Sequence, residues 1–258
     1  MERLDRRTKT GFGSNILRTW GMIFVACGLI GRCVIQNQLL NMTQTTNQQL
    51  LEAMQNSEKV MILATIAIAL QAVETCAAPV FCFLLTEGFQ KTKDLKRYFL
   101  RLLGVAFLSE IGYNFAFSGK LLDMSSRNPV FSMVLCLMVL YFYRRYQGKG
   151  LGDFAIKAAV TVAAVLWAGM LRIDSGVPCL ILTIVLWACR KNPIYRTFAG
   201  CVAAVVCSAL SPFYLASPMG FMAVHGYNGE KGADNQIINY LAYPALLFLA
   251  GASANFLL

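Results

Sequence analysis

Glu87 lies near the end of the apolar run Pro79-Val80-Phe81-Cys82-Phe83-Leu84-Leu85-Thr86-Glu87-Gly88-Phe89, and Lys91, Lys93, Lys96, Arg97 and Arg101 follow at once. A carboxylate in that position can serve as a general base or ligand contact, because ionisable groups in apolar segments mark functional sites. It can equally pair with Lys91 one helical turn on. Glu74 and Glu110 also fall inside apolar runs, where a bare charge is costly and must face protein or water. Arg32, in the first apolar run, is the charge partner the sequence offers them. With Asp174, these residues make either structural ion pairs or the wall of a polar cavity. Asp174 sits in Arg172-Ile173-Asp174-Ser175-Gly176, a turn where it can also cap the next helix. His225 is the sole histidine. Imidazoles as a class serve as proton acceptors, so it is a second candidate base; as part of the glycine-rich loop His225-Gly226-Tyr227-Asn228-Gly229-Glu230-Lys231-Gly232 it is equally a polar turn residue.

Other chemistries lack their residues. No GxGxxG, P-loop, GxSxG or HExxH pattern occurs. The nine cysteines show no CxxC pair and no zinc-type spacing with histidine, so no metal site is expected. Most lie in apolar runs and are expected to be reduced, buried small hydrophobes.

The elements that must position these groups follow from composition. The chain has 258 residues, of which 57% are hydrophobic and 14% charged; a soluble domain carries roughly 25% charged residues. Apolar runs recur over nearly the whole length, and the longest polar interval, Gln36 to Lys59, is too short for a core of its own. The expected fold is all-α: one polytopic transmembrane bundle over residues 1–258, with about eight spanning helices and re-entrant half-helices. The spans are expected near 16–35, 60–89, 98–117, 129–146, 154–171, 176–189, 197–213 and 237–258. The second is longer than one crossing needs. It is either a single kinked helix or two helices with a break near Glu74-Thr75. The apolar piece Ser217–Val224 is too short to cross and suits a re-entrant turn. The first helix has no small-residue cleavage site after it and is expected to be retained.

Charge supports this layout. With the N-terminus inside, the inner segments collect Arg3, Arg6, Arg7, Lys9 and Arg18, then the 91–101 cluster, then Arg144, Arg145, Lys149 and Lys157, and finally Arg190, Lys191 and Arg196. The outer segments hold Lys59, Lys120, Arg127 and Arg172, with the side of Lys231 left open by the short apolar piece before it, which is the positive-inside pattern. The net charge of +10 is accounted for in this way. No soluble basic face remains for nucleic acid, and the expected partners are the lipid bilayer and another membrane or exported protein.

The segment from Pro79 to Arg101, in the pattern PxFxFLLxEGFxKTxxxxxYxxRLL, resembles the TraX family of membrane acetyltransferases, linked to acetylation of conjugative pilin. Asn128-Pro129-Val130-Phe131-Ser132, Asp174 with Gly176, the Tyr227-Asn228-Gly229-x-x-Gly232 loop and Tyr243-Pro244 resemble further family stretches, in order. The resemblance implies a bacterial inner-membrane protein. If enzymatic, it implies acetyl-CoA as donor, with Lys91, Arg97 and Arg101 toward its phosphates and Glu87 and His225 as candidate bases. It also shows departures. Gly28-Leu29 stand where the family carries Asp-His, Glu74-Thr75 where it carries Gly-Arg, and Leu246 where a histidine follows Tyr-Pro. Acetyl transfer needs a base for the acceptor and donors for the oxyanion, and Leu29 and Leu246 supply neither. The favoured expectation is therefore a non-catalytic relative acting in binding or assembly. A diverged acyltransferase, and more distantly a transport subunit, are the alternatives.

Overall fold

The computed structural model describes residues 11–40, 47–148, 150–230, 232 and 236–256. The basic cluster Arg3, Arg6, Arg7 and Lys9, and also Lys149 and Lys231, lie outside them. The chain is helical throughout the described residues, the only β-type pairings there being two isolated bridges, Phe12 with Tyr227 and Arg127 with Ile173.

Helix α1 (Ser14–Leu29) continues without a break into a π-helical stretch, Ile30–Leu39. A short helix α2 (Asn47–Asn56) leads to α3 (Glu58–Glu74) and α4 (Ala77–Lys91). The long second apolar run is thus two helices, broken at Thr75-Cys76. Pro79 is not the breaker: it stands in the first turn of α4, where its missing N–H costs nothing. The Thr75 hydroxyl lies within reach of both Ala72 O and Phe213 O, which anchors the break to a distant segment. Then follow α5 (Leu95–Ser118), α6 (Val130–Arg145), α7 (Leu151–Met170), α8 (Gly176–Ala188) and α9 (Pro193–Cys207). Two 3₁₀ turns, Pro212–Leu215 and Ser217–Met219, precede α10 (Gly220–His225), and α11 (Gln236–Phe256) closes the chain.

Local signals set these boundaries. The Asp94 side chain accepts from Arg97 N at 3.0 Å and caps α5. Asn192 accepts from Ile194 N and Tyr195 N ahead of Pro193 at the first position of α9. Gly119, at φ 67°, ends α5 in the left-handed conformation.

Among the described residues, three helical stretches are long and apolar enough to cross a membrane: Ser14–Leu39, Glu58–Lys91 and Leu151–Met170. Helices 176–188 and 193–207 are apolar but shorter. Over the expected span at 197–213 the helix is α9, apolar but only 15 residues long, and the chain continues through the two 3₁₀ turns. The 3₁₀ turns lie against the α3–α4 break, with Cys76 Sγ 3.2 Å from Ala216 O. There a Cβ on Gly220 would overlap Cys76 O and Pro79. Helix α10 then returns the chain to the end where α9 began, so Ser217–Val224 belongs to a re-entrant hairpin.

The hairpin's return point is fixed by hydrogen bonds. Phe12 N donates to Gly226 O at 2.7 Å, Asn228 N to Phe12 O at 3.1 Å and Ser14 N to Glu230 O at 2.9 Å. The main core joins Leu17, Val80, Phe83, Phe89, Leu140, Leu182 and Phe221, drawn from α1, α4, α6, α8 and α10.

Candidate functional site

Each element of the Pro79–Arg101 segment has a packing partner. Phe81 lies over Gly21 of α1, where no Cβ would fit without displacing the ring. The Phe83 ring meets Tyr227 edge-on at 5.1 Å and carries the Arg196 guanidinium at 4.5 Å. Tyr98 Oη sits where it would touch a Cβ on Gly88, which explains the glycine after Glu87. Phe89 is fully buried, packs edge-on against Trp187 at 5.3 Å and carries the Arg144 guanidinium at 4.4 Å.

Glu87 itself is fully engaged. Its Oε1 accepts from Arg196 at 3.1 Å and its Oε2 pairs with Lys91 at 3.2 Å, with Glu87 and Arg196 only 16% and 12% exposed. Lys91 goes on to donate to Tyr227 Oη at 2.9 Å and Gly229 O at 3.0 Å. Two neighbouring residues of α4 thus tie it to both feet of the hairpin: Glu87 to Arg196 at its start and Lys91 to Tyr227 and Gly229 at its finish. Arg97 is largely exposed and pairs with Asp94 at 3.0 Å; Arg101 is exposed on the same face one turn on. Asn228 accepts from Glu230 N at 2.9 Å through its side chain, while Gly229 and Gly232 take positive φ. The 227–232 loop is therefore a clamp on residues 11–14.

A second polar group forms at the α3–α4 break. The π-helical stretch carries Arg32, whose guanidinium pairs with Glu74 and reaches Asp174 Oδ2 at 3.5 Å. π-Helical turns often occur at functional sites. Arg32 also lies 5.1 Å from the Phe117 ring. Asp174 is positioned by the Arg127–Ile173 bridge, in which Arg127 N donates to Arg172 O and Asp174 N to Arg127 O. Gly28 packs under Glu74: a Cβ there would overlap the carboxylate and the Glu74 Cβ.

These two groups are the ends of one open cavity of about 1470 Å³ lined by α1, α3, α4, α5, α6, α8 and α11. Lys91, Arg97, Arg101, Glu87 and Gly229 line one end, its mouth, and Arg32, Glu74 and Asp174 the opposite end, its floor, where Arg32 and Asp174 are partly exposed. By helical rise, Glu87 and Glu74 are about 20 Å apart.

Two expected members stand elsewhere. Glu110 does not join Arg32. It pairs with Arg127 at 2.8 Å and accepts from Asn128 N at 3.0 Å and Asn128 Nδ2 at 2.7 Å. Asn128 Oδ1 in turn accepts from Val130 N at 2.9 Å, so the Glu110 carboxylate holds the cap of α6. The resemblance at Asn128–Ser132 marked this stretch, but the partner of Glu110 depends on how the 119–129 loop folds back. His225 ends α10 with its side chain exposed and is absent from the cavity wall. All nine cysteines are free thiols.

The positions where the resemblance implies chemistry meet near the floor. Leu29 is buried in a cluster with Val25, Cys33 and Tyr113, against which Leu246 and Tyr243 pack. The fold defines a helical protein with helices long and apolar enough to cross a membrane and one large open cavity with a charged group at each end. A family model described as TraX protein matches residues 54–252, and the chain belongs to the TraX family. The matched residues begin after α1, which carries Gly28, Leu29 and Arg32. No curated protein matches the chain. No solved structure matches it either.

Proposed function

We propose that this TraX-family chain is a bacterial cytoplasmic-membrane protein, N-terminus inside, that keeps the family's frame and cavity as a binding or assembly component without transferring acetyl groups. The observation that carries this reading is the convergence of Leu29 and Leu246 in one apolar cluster beside the Arg32–Glu74–Asp174 group. At the two positions where the resemblance implies histidine, hydrocarbon stands, and neither side chain lines the cavity. Loss of a general base costs on the order of 10²–10⁴ in rate. The substitutes are committed or distant: Glu87 makes two ion pairs, and His225 is exposed and off the cavity wall.

Acetyl-CoA fits the site only in part. The cationic mouth suits its phosphates, but Lys91 spends its donors on Glu87, Tyr227 and Gly229, and the floor carboxylates Glu74 and Asp174 both face Arg32. No catalytic step is therefore written through it. A second reading, an acetyl-CoA-dependent acyltransferase acting on a membrane-embedded or exported acceptor such as a pilin, is favoured by the cavity's size and its mouth on the Lys91 side. The transport reading loses Glu110, which serves the α6 cap.

The test is acetyl transfer from labelled acetyl-CoA by purified protein reconstituted in bilayers, with membrane extracts as acceptor. The expected result is no transfer above background in a protein of normal thermal stability. Transfer that falls at least tenfold in both Glu87→Gln and His225→Ala overturns the reading and restores those residues as bases.

A further inference from the structure

The charges lining the cavity are sorted by depth. At the mouth stand four cations, Arg18, Lys91, Arg97 and Arg101, against two carboxylates, Glu87 and Asp94. At the floor one cation, Arg32, faces two carboxylates, Glu74 and Asp174. No charged residue lines the space between. The wall there is built by Phe81, Leu84 and Leu85 of α4, Leu102 and Val105 of α5 and Met133 of α6.

An anion is therefore attracted at the mouth and repelled at the floor. This face of the middle rewards aliphatic surface and offers no hydrogen-bond partner; the lining's polar groups Thr19, Tyr98, Asn239, Tyr240 and Tyr243 belong to α1, α11 and the start of α5. A ligand carrying amides along its length would leave those groups unpaired against this wall, at a cost of about 1–3 kcal/mol each. A hydrocarbon chain incurs no such cost. The mouth-to-floor span of about 20 Å sets the length available.

We propose that the cavity holds an anionic single-chain amphiphile of the lipid-phosphate class, with its phosphate at Arg97 and Arg101 and its chain along α4, α5 and α6, ending before Glu74. The proposal rests on the cavity being a binding site rather than an acetyl-transfer site, and it names what is bound. Arg97 and Arg101 are assigned to the head group because both are exposed at the mouth, one helical turn apart on α5, and the Arg97–Asp94 pair there is itself solvent-exposed.

The experiment uses the full chain in lipid nanodiscs with a trace of tetradecyl phosphate bearing a mid-chain diazirine, and cross-linked residues are mapped by mass spectrometry. Labelling is expected on Leu102, Val105 or Met133. Unlabelled tetradecyl phosphate should compete it away, and neither inorganic phosphate nor tetradecanol should. In the double variant Arg97→Gln/Arg101→Gln, whose sites are too exposed to threaten folding, cavity labelling should fall at least fivefold. Three results overturn the proposal: labelling confined to the exposed α7 face at Leu166 and Met170, undiminished cavity labelling in the double variant, or competition by inorganic phosphate alone. Competition by acetyl-CoA as strong as by tetradecyl phosphate overturns it too, and removes the support for the non-catalytic reading with it. Labelling confined to α7 without acetyl-CoA binding removes the amphiphile alone.

Discussion

Gly28 and Glu74 illustrate how one missing side chain lets another in. The Glu74 carboxylate occupies the volume that a Cβ at position 28 would claim, and from there it pairs with Arg32. Neither residue explains itself in the sequence, because the two are brought together only by the antiparallel contact of α1 with α3. Gly28→Ala is expected to cost about 2 kcal/mol by forcing Glu74 off Arg32. Glu74→Ala alone leaves Arg32 with Asp174 as its single acid and costs a similar amount. The two changes should not add. Once Glu74 is shortened, the methyl at 28 has room, so the double variant should unfold close to the Glu74→Ala single, with a coupling of at least about 1 kcal/mol. Thermal unfolding of the four proteins in one detergent closes the cycle, and strict additivity would mean that the Gly28–Glu74 contact is not what holds the floor.

At the scale of elements, the re-entrant hairpin α9–α10 is the unit that distinguishes this bundle from a plain series of crossings, and Glu87 is its anchor. Removing the charge with Glu87→Gln leaves Arg196, which is 12% exposed, without its acid. The expected loss is roughly 2 kcal/mol, together with faster amide exchange at 226–230, the segment that Lys91 ties to α4. A catalytic Glu87 would behave differently, losing rate at unchanged stability and exchange. Much of this region was legible in the sequence. The apolar run, the cation cluster and the shortness of Ser217–Val224 are local signals, and they pointed to the helix end and the re-entrant turn. The α3–α4 break near Glu74 was one of the two readings that the overlong apolar run left open, the other being a single kinked helix. Arg196 as the partner of Glu87, and Arg127 as the partner of Glu110, were not, since each pair is made by elements far apart in the chain. Residues 197–213 read as a crossing because their apolar length alone does not record that α9 stops at the α3–α4 break.

At the scale of the molecule, the contacts sort the chain into two ends, and that sorting makes a prediction about topology. Lys91, Asp94, Arg196, Tyr227 and Glu230 share one end through the Glu87 clamp and the pairing of residues 11–14 with the 226–230 loop. Arg127, Arg172 and Asp174 share the other. Helix α11 leaves the first end near Tyr240, which lines the cavity with Tyr98, and passes Gly112 at Leu247. It meets the second end where Gln38 donates to Ser253 O and Phe115 lies over Gly251. The cations concentrate at the first end, so the positive-inside rule makes it cytoplasmic. Single reporter cysteines at Asp94, Asp123 and Glu230, introduced into a variant lacking the partly exposed native thiols Cys27, Cys189 and Cys201, test this in intact cells with a membrane-impermeant maleimide. Asp123 should label from outside, and Asp94 and Glu230 only after the membrane is opened. Labelling of Glu230 from outside would turn the α9–α10 hairpin into a crossing. It would also place Lys91 and Tyr227 on opposite faces of the membrane, which their 2.9 Å hydrogen bond forbids; the clamp and the cavity mouth built on it would fall together.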